Sequence, residues 1–135
     1  MPSSNFYRNA LANETFRDGT FTKPLALYVA LFNTTPDADG VGVEVSGDGY
    51  ARVQVDPGSA NWSLTSDGFV ANVNAISFPD PLNNDDWGVI NGYAIFDAST
   101  GGNMYTYNDL TTAINVPGFS PGPLFNAGVL TITLQ

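Results

Sequence analysis

The rhythm of apolar and polar positions along the chain changes at Gly19. Before it, residues 3–17 put Phe6 and Ala10 on one helical stripe, with Leu11 and Phe16 close by. Ser3, Ser4 or Asn5 supplies an N-cap, and Gly19 a stop just past the end. The pattern predicts one short helix. Isolated helices of this length are marginal in water, so it must dock on its own domain or on a neighbour.

After Gly19 the pattern is that of strands. Residues 25–32 form a continuous apolar run bounded by Pro24 and by Asn33-Thr34-Thr35-Pro36. This predicts a central strand covered on both faces, although periodicity alone leaves a buried helix open. Residues 33–49 read as a loop rich in Gly and Asp. Residues 50–55 alternate, with Ala51, Val53 and Val55 on one face and Tyr50, Arg52 and Gln54 on the other. Weaker strands are expected at 69–72 and 74–78. A strong strand is expected within 88–98, centred on Gly92-Tyr93-Ala94-Ile95-Phe96. Residues 104–108 pair with it across the turn-forming Ser99-Thr100-Gly101-Gly102-Asn103. Residues 112–116 form another short candidate. The clearest alternation is 129–134, where Leu130, Ile132 and Leu134 point inward. Many short strands with regular turn signals predict an all-β, single-domain β-sandwich, jelly-roll or Greek-key like, with one short N-terminal helix. The division is 1–19 for the helical segment and 20–135 for the sandwich domain. The run Pro117-Gly118-Phe119-Ser120-Pro121-Gly122-Pro123 reads as a long loop inside that domain.

Composition narrows the function. The chain has 135 residues, enough for one core. Four cations (Arg8, Arg17, Lys23, Arg52) face thirteen carboxylates, for a net charge of −9. Such a chain offers no footprint for a phosphate backbone and is repelled by anionic membranes, so neither nucleic acid nor membrane is an expected partner. It has no Cys and no His, which excludes disulfides, thiolate nucleophiles and His-bearing triads. The longest strongly apolar run, 24–32, is well short of the ~20 residues that span a bilayer. Met1-Pro2-Ser3-Ser4-Asn5 shows no basic region leading into an apolar stretch, so a soluble protein made in a cytoplasm is expected.

Two acidic loops are the remaining candidates for chemistry. Asp37-Ala38-Asp39-Gly40, with Glu44 and Asp48 nearby, has oxygen ligands for Ca²⁺ but departs from the EF-hand pattern. Asp80-Pro81-Leu82-Asn83-Asn84-Asp85-Asp86-Trp87 sets carboxylates beside an aromatic, as a glycosidase does, yet adjacent Asp85 and Asp86 point apart. Turn geometry accounts for both, with Trp87 as a core anchor. No catalytic residue, metal site or cofactor is therefore predicted. Large apolar groups in irregular segments suggest instead an oligomer or partner interface at Phe6, Tyr7, Arg8, Leu11, Phe16, Phe119 and Phe125. The competing reading has them cover the open ends of the sandwich. A carbohydrate-binding module would use Trp62, Trp87 and Tyr105.

Several blocks in order resemble a family of small tailed-bacteriophage virion proteins of the tail-fibre-like or head-decoration type. They are Leu27-Tyr28-Val29-Ala30-Leu31-Phe32 with Thr34-Thr35-Pro36; Glu44-Val45-Ser46-Gly47-Asp48-Gly49-Tyr50-Ala51-Arg52; and Trp87-Gly88 leading to Tyr93-Ala94-Ile95-Phe96-Asp97-Ala98. Gly101-Gly102-Asn103 and the closing Gly128-Val129-Leu130-Thr131-Ile132-Thr133-Leu134 complete the set. The resemblance implies a non-enzymatic virion structural subunit, made in the host cytoplasm, and carries no catalytic residues. Between locations the compact size favours a capsid decoration (cement) protein on the outer head surface. The alternative is a tail, baseplate or tail-fibre component, and a carbohydrate-binding virion module is a third possibility. The partners then expected are the major capsid protein or other virion proteins, and copies of the chain itself as a homo-oligomer, a trimer first. Arg52 is available to pair with Glu44 or a neighbouring acid.

Overall fold

The computed structural model describes residues 3–65 and 67–133. One helix, α1 (Asn5–Phe16), leads ten strands: β1 (Tyr28–Thr34), β2 (Val43–Glu44), β3 (Val53–Gln54), β4 (Trp62–Leu64), β5 (Phe69–Asn72), β6 (Ile76–Ser77), β7 (Gly88–Phe96), β8 (Met104–Val116), β9 (Leu124–Phe125) and β10 (Thr131–Thr133). The main sheet runs β2–β1–β7–β8, and β3 also pairs with β1. Two smaller sheets, β10–β5–β4 and β6–β9, complete the fold. All pairings within these sheets are antiparallel.

Strands β1 and β7 are apolar on both faces because both faces are covered. Val29, Leu31, Tyr93 and Ile95 pack with Ile76, Phe78, Phe125, Leu130 and Ile132 of the smaller sheets and their flanks. That cluster is the core between two layers. On the reverse face Ala30, Phe32, Ala94, Phe96 and Met104 form a second cluster. Thr35, at the exit of β1, crosses close over β7, where a Cβ on Gly92 would collide with the Thr35 side chain and with the Asn108 carbonyl. Only glycine leaves room for that crossing.

The structure redraws several expected boundaries. The 25–32 run becomes a strand only from Tyr28, and Leu25 is left 94% exposed. The candidates at 104–108 and 112–116 are one strand of 13 residues. Its register breaks between Gly92↔Asp109 and Ile90↔Ile114, so the intervening residues bulge and erase the alternation. Of the 50–55 alternation only Val53–Gln54 pairs with β1, at Tyr28 and Val29. Tyr50 packs against the same core as Val53 and Val55, not on the opposite face. Strands β2, β4 and β9 have two or three residues each, too few to show a period, and were not foreseen. Leu134, expected to point inward, lies outside the described residues.

Candidate functional site

The Glu44–Arg52 block forms a latch. Its two carboxylate oxygens receive Arg52 Nη2 at 2.8 Å and Nε at 2.9 Å, a bidentate pair. Arg52 Nη1 donates to the carbonyls of Ala98 and Gly101, each at 2.8 Å, and the guanidinium lies 3.9 Å from the Phe96 ring centroid. Tyr50 Oη donates to Glu44 at 2.7 Å and accepts the Leu31 N–H at 2.9 Å. Burial, reinforced by the bond to Glu44, pushes the Tyr50 phenol well above its ordinary pKa. One arginine thus ties β2, the segment before β3 and the 97–103 turn together. Every polar contact in this group is internal, so its chemistry is that of a fastener.

The helix is held only at its start. Ser3 bridges to Thr106, Ser4 N–H donates to the Tyr105 carbonyl at 2.9 Å, and Ser4 Oγ bonds the Met104 carbonyl. Ser4 is also the N-cap, accepting the Tyr7 N–H at 3.1 Å. Phe6 and Tyr7 pack on Tyr105 with ring centroids 5.5 and 5.1 Å away, and Tyr7 meets Phe21 at 5.7 Å. No helix residue is fully buried. Phe16 is 84% exposed, Arg8 is exposed and bonded only to Asn5, and Leu11 is half-buried. Among the described residues Glu44–Arg52 is the one ion pair, so Arg8, Arg17 and Lys23 have no carboxylate partner there.

Beneath the first turn the two layers separate. Tyr7, Phe21, Leu27, Trp62, Tyr105 and Ile132 line a largely apolar cavity of about 530 Å³, with Lys23 on its wall. That volume falls within the range of pockets that take small ligands or side chains. Sequence reasoning missed this feature entirely, because its lining comes from segments as distant in the chain as Tyr7 and Ile132.

The acidic loop at the other end of β7 and β8 is a set of braces. Asp85 accepts the Asp48 N–H at 2.6 Å, Asp86 accepts the Gly118 N–H at 2.5 Å, and Asp80 accepts the Gly122 N–H at 2.6 Å. Asp37 likewise accepts the N–H groups of Asp39 and Val41 at 2.9 and 3.0 Å, a turn. No group of three metal-ligating side chains is placed to hold a metal ion among the described residues.

A comparison with protein families finds that podophage GP4 fiber I protein gp80 matches residues 2–133. The chain belongs to this family. It is a phage virion structural protein. A comparison with curated proteins finds no match.

Within this virion protein the residues expected at an interface divide. Phe6 and Tyr7 anchor the helix to Tyr105, whereas Arg8, Leu11 and Phe16 lie beyond that anchor. Phe119 is 76% exposed. Phe125 is a correction: it is 2% exposed and packs edge-on against Phe78 in the core, not on the surface. Trp87 and Tyr105 are buried too, Trp87 donating its Nε1–H to the Asp48 carbonyl at 3.0 Å. Neither offers a flat aromatic platform to a sugar. Among the described residues, no helix is long and apolar enough to cross a membrane.

Proposed function

We propose that this chain is a non-enzymatic fibre subunit of a phage particle, working through protein–protein contacts with other virion proteins and with copies of itself. The observation that carries the reading is the match of a fibre family across residues 2–133. The form of the molecule supports it. The polar groups of the Glu44–Arg52 latch and of the acidic braces are engaged in holding the fold. The apolar and cationic groups left over, Phe16, Phe119, Arg8 and Arg17, sit where a neighbour can reach them. The family description gives weight to the tail-fibre alternative over the capsid-decoration role that compact size favoured. Reconstruction of intact particles tests this, with subunit density on the tail apparatus in tens of copies or fewer as the expected result. Hundreds of copies spread over the head would return the assignment to decoration.

A further inference from the structure

We propose that copies of this chain join head to tail, with Phe119 of one copy entering the aromatic cavity of the next. This joining deepens the proposed contact between copies and rests on that reading, whichever virion structure the chain serves.

Phe119 is built as a knob. Its backbone has φ of 60°, one of two non-glycine residues in the left-handed region among those described. A bulky residue rarely adopts that conformation. The turn is nevertheless held firmly: Asp86 takes the Gly118 N–H, Asn83 O takes the Phe119 N–H at 3.2 Å, and Ser120 Oγ bonds the Pro117 carbonyl. All this order presents a phenyl ring that remains 76% exposed. A lone monomer gains nothing from that arrangement.

The cavity is the complementary shape. Aromatic and aliphatic walls line an open cavity of about 530 Å³, a volume with room for a phenyl ring. Ile95 and Tyr105, on its lining, flank the 97–103 turn, whereas Phe119 follows Val116 at the far end of the same β7–β8 hairpin. The strand rise puts these ends roughly 25 Å apart. A rigid paired hairpin between them keeps the knob from reaching its own cavity, so the occupant is another copy.

Charge matches shape. Lys23 is on the cavity wall, and Arg8 and Arg17 belong to the adjoining segment, none ion-paired among the described residues; Glu14, Asp18, Asp56 and Asp97 are near the same end, which is thereby close to neutral. The loops around the knob carry Asp48, Asp80, Asp85 and Asp86. Bringing the two ends together sets the unpaired cations near the acidic knob loops, whereas joining two knob ends sets carboxylates against carboxylates. One ring buries only roughly 150–250 Å², so the exposed helix face beside the cavity has to supply much of the remaining contact. A contact between two different patches is heterologous, closing into a ring or running on as a filament.

Sedimentation velocity of the full chain over a range of about 1–300 μM tests this. The wild type is expected to self-associate, less so at high salt. Phe119→Gly removes the knob and relieves the left-handed backbone, so the variant should melt higher yet associate about 30-fold more weakly or not at all. Ser59 also lines the cavity, so a Lys23→Glu, Ser59→Trp double variant, checked by circular dichroism, should fail to self-associate in the same way. Mixed together, the two variants retain one intact knob and one intact cavity and should form 1:1 complexes only. A wild type that stays monomeric, a Phe119→Gly chain that associates normally, or two variants that remain separate when mixed would each overturn the proposal.

Discussion

Helix α1 and strand β7 are both rich in apolar residues, yet they meet opposite fates. Residues 92–96 of β7 are all buried, with neighbours β1 and β8 satisfying the backbone and clusters on both faces covering the side chains. In α1 no residue is fully buried, and beyond Tyr7 the helix is held by no hydrogen bond to a strand. The difference shows where the molecule completes itself and where it does not. A sheet interior is closed within one chain by its own loops. The helix needs only its first turn to stay attached, which leaves its remaining face free for a second surface.

The largest break in this comparison should come from the latch that closes the sheet. Arg52→Ala leaves Glu44 with the Tyr50 hydroxyl but no cation, leaves the Ala98 and Gly101 carbonyls without their donor and uncovers Phe96. A loss of about 3 kcal/mol is expected, toward the lower end for broken buried pairs because Glu44 keeps some solvent contact. Urea unfolding would read it as a lower midpoint at unchanged slope. An unshifted midpoint would show the latch to be incidental.

Alkaline pH should act on the same region. The Tyr50 phenol ionises near its ordinary value in the unfolded chain and only at higher pH in the folded one, because burial and the bond to Glu44 oppose its charge. The unfolded state therefore loses its proton first. Stability from this group is complete below about pH 10 and falls by about 1.4 kcal/mol per unit above it. Tyr93 and Tyr105, also raised by burial, act in the same direction. Unfolding measured from pH 8 to 11 should show the fall, and Tyr50→Phe should make it shallower. An equal slope in the variant would exclude Tyr50 as a source.

The smallest effects separate the two ends of the helix. Ser4→Ala removes both the N-cap and the bond to Met104, and should cost about 1 kcal/mol. Phe16→Ser, at a position 84% exposed, should change stability by less than about 0.5 kcal/mol while reducing any self-association. Thermal unfolding of both variants beside the wild type checks the contrast. A Phe16→Ser chain as destabilised as Ser4→Ala would mean that the helix end packs on its own body.

What the sequence alone determined is local. The helix with a cap among Ser3, Ser4 and Asn5, the turn at 99–103, strand β5 at Phe69–Asn72 and the burial of Gly92-Tyr93-Ala94-Ile95-Phe96 all follow from spacing and residue type. The Arg52–Glu44 pairing was legible as one option, since only four cations exist to choose from. The tertiary structure decided what depends on distant neighbours. Phe119 and Phe125 stand six residues apart in one proline-rich stretch and looked alike, yet one is 76% exposed and the other 2%. Pairing of Phe125 with Ile76 draws it into the core, while the brace from Asp86 to Gly118 helps turn Phe119 outward. The cavity has the same origin: Tyr7, Trp62, Tyr105 and Ile132 meet only because sheets from opposite ends of the chain are stacked. Spacing along a chain reports which side chains share a face of one element, whereas a surface assembled from several elements has no period to read.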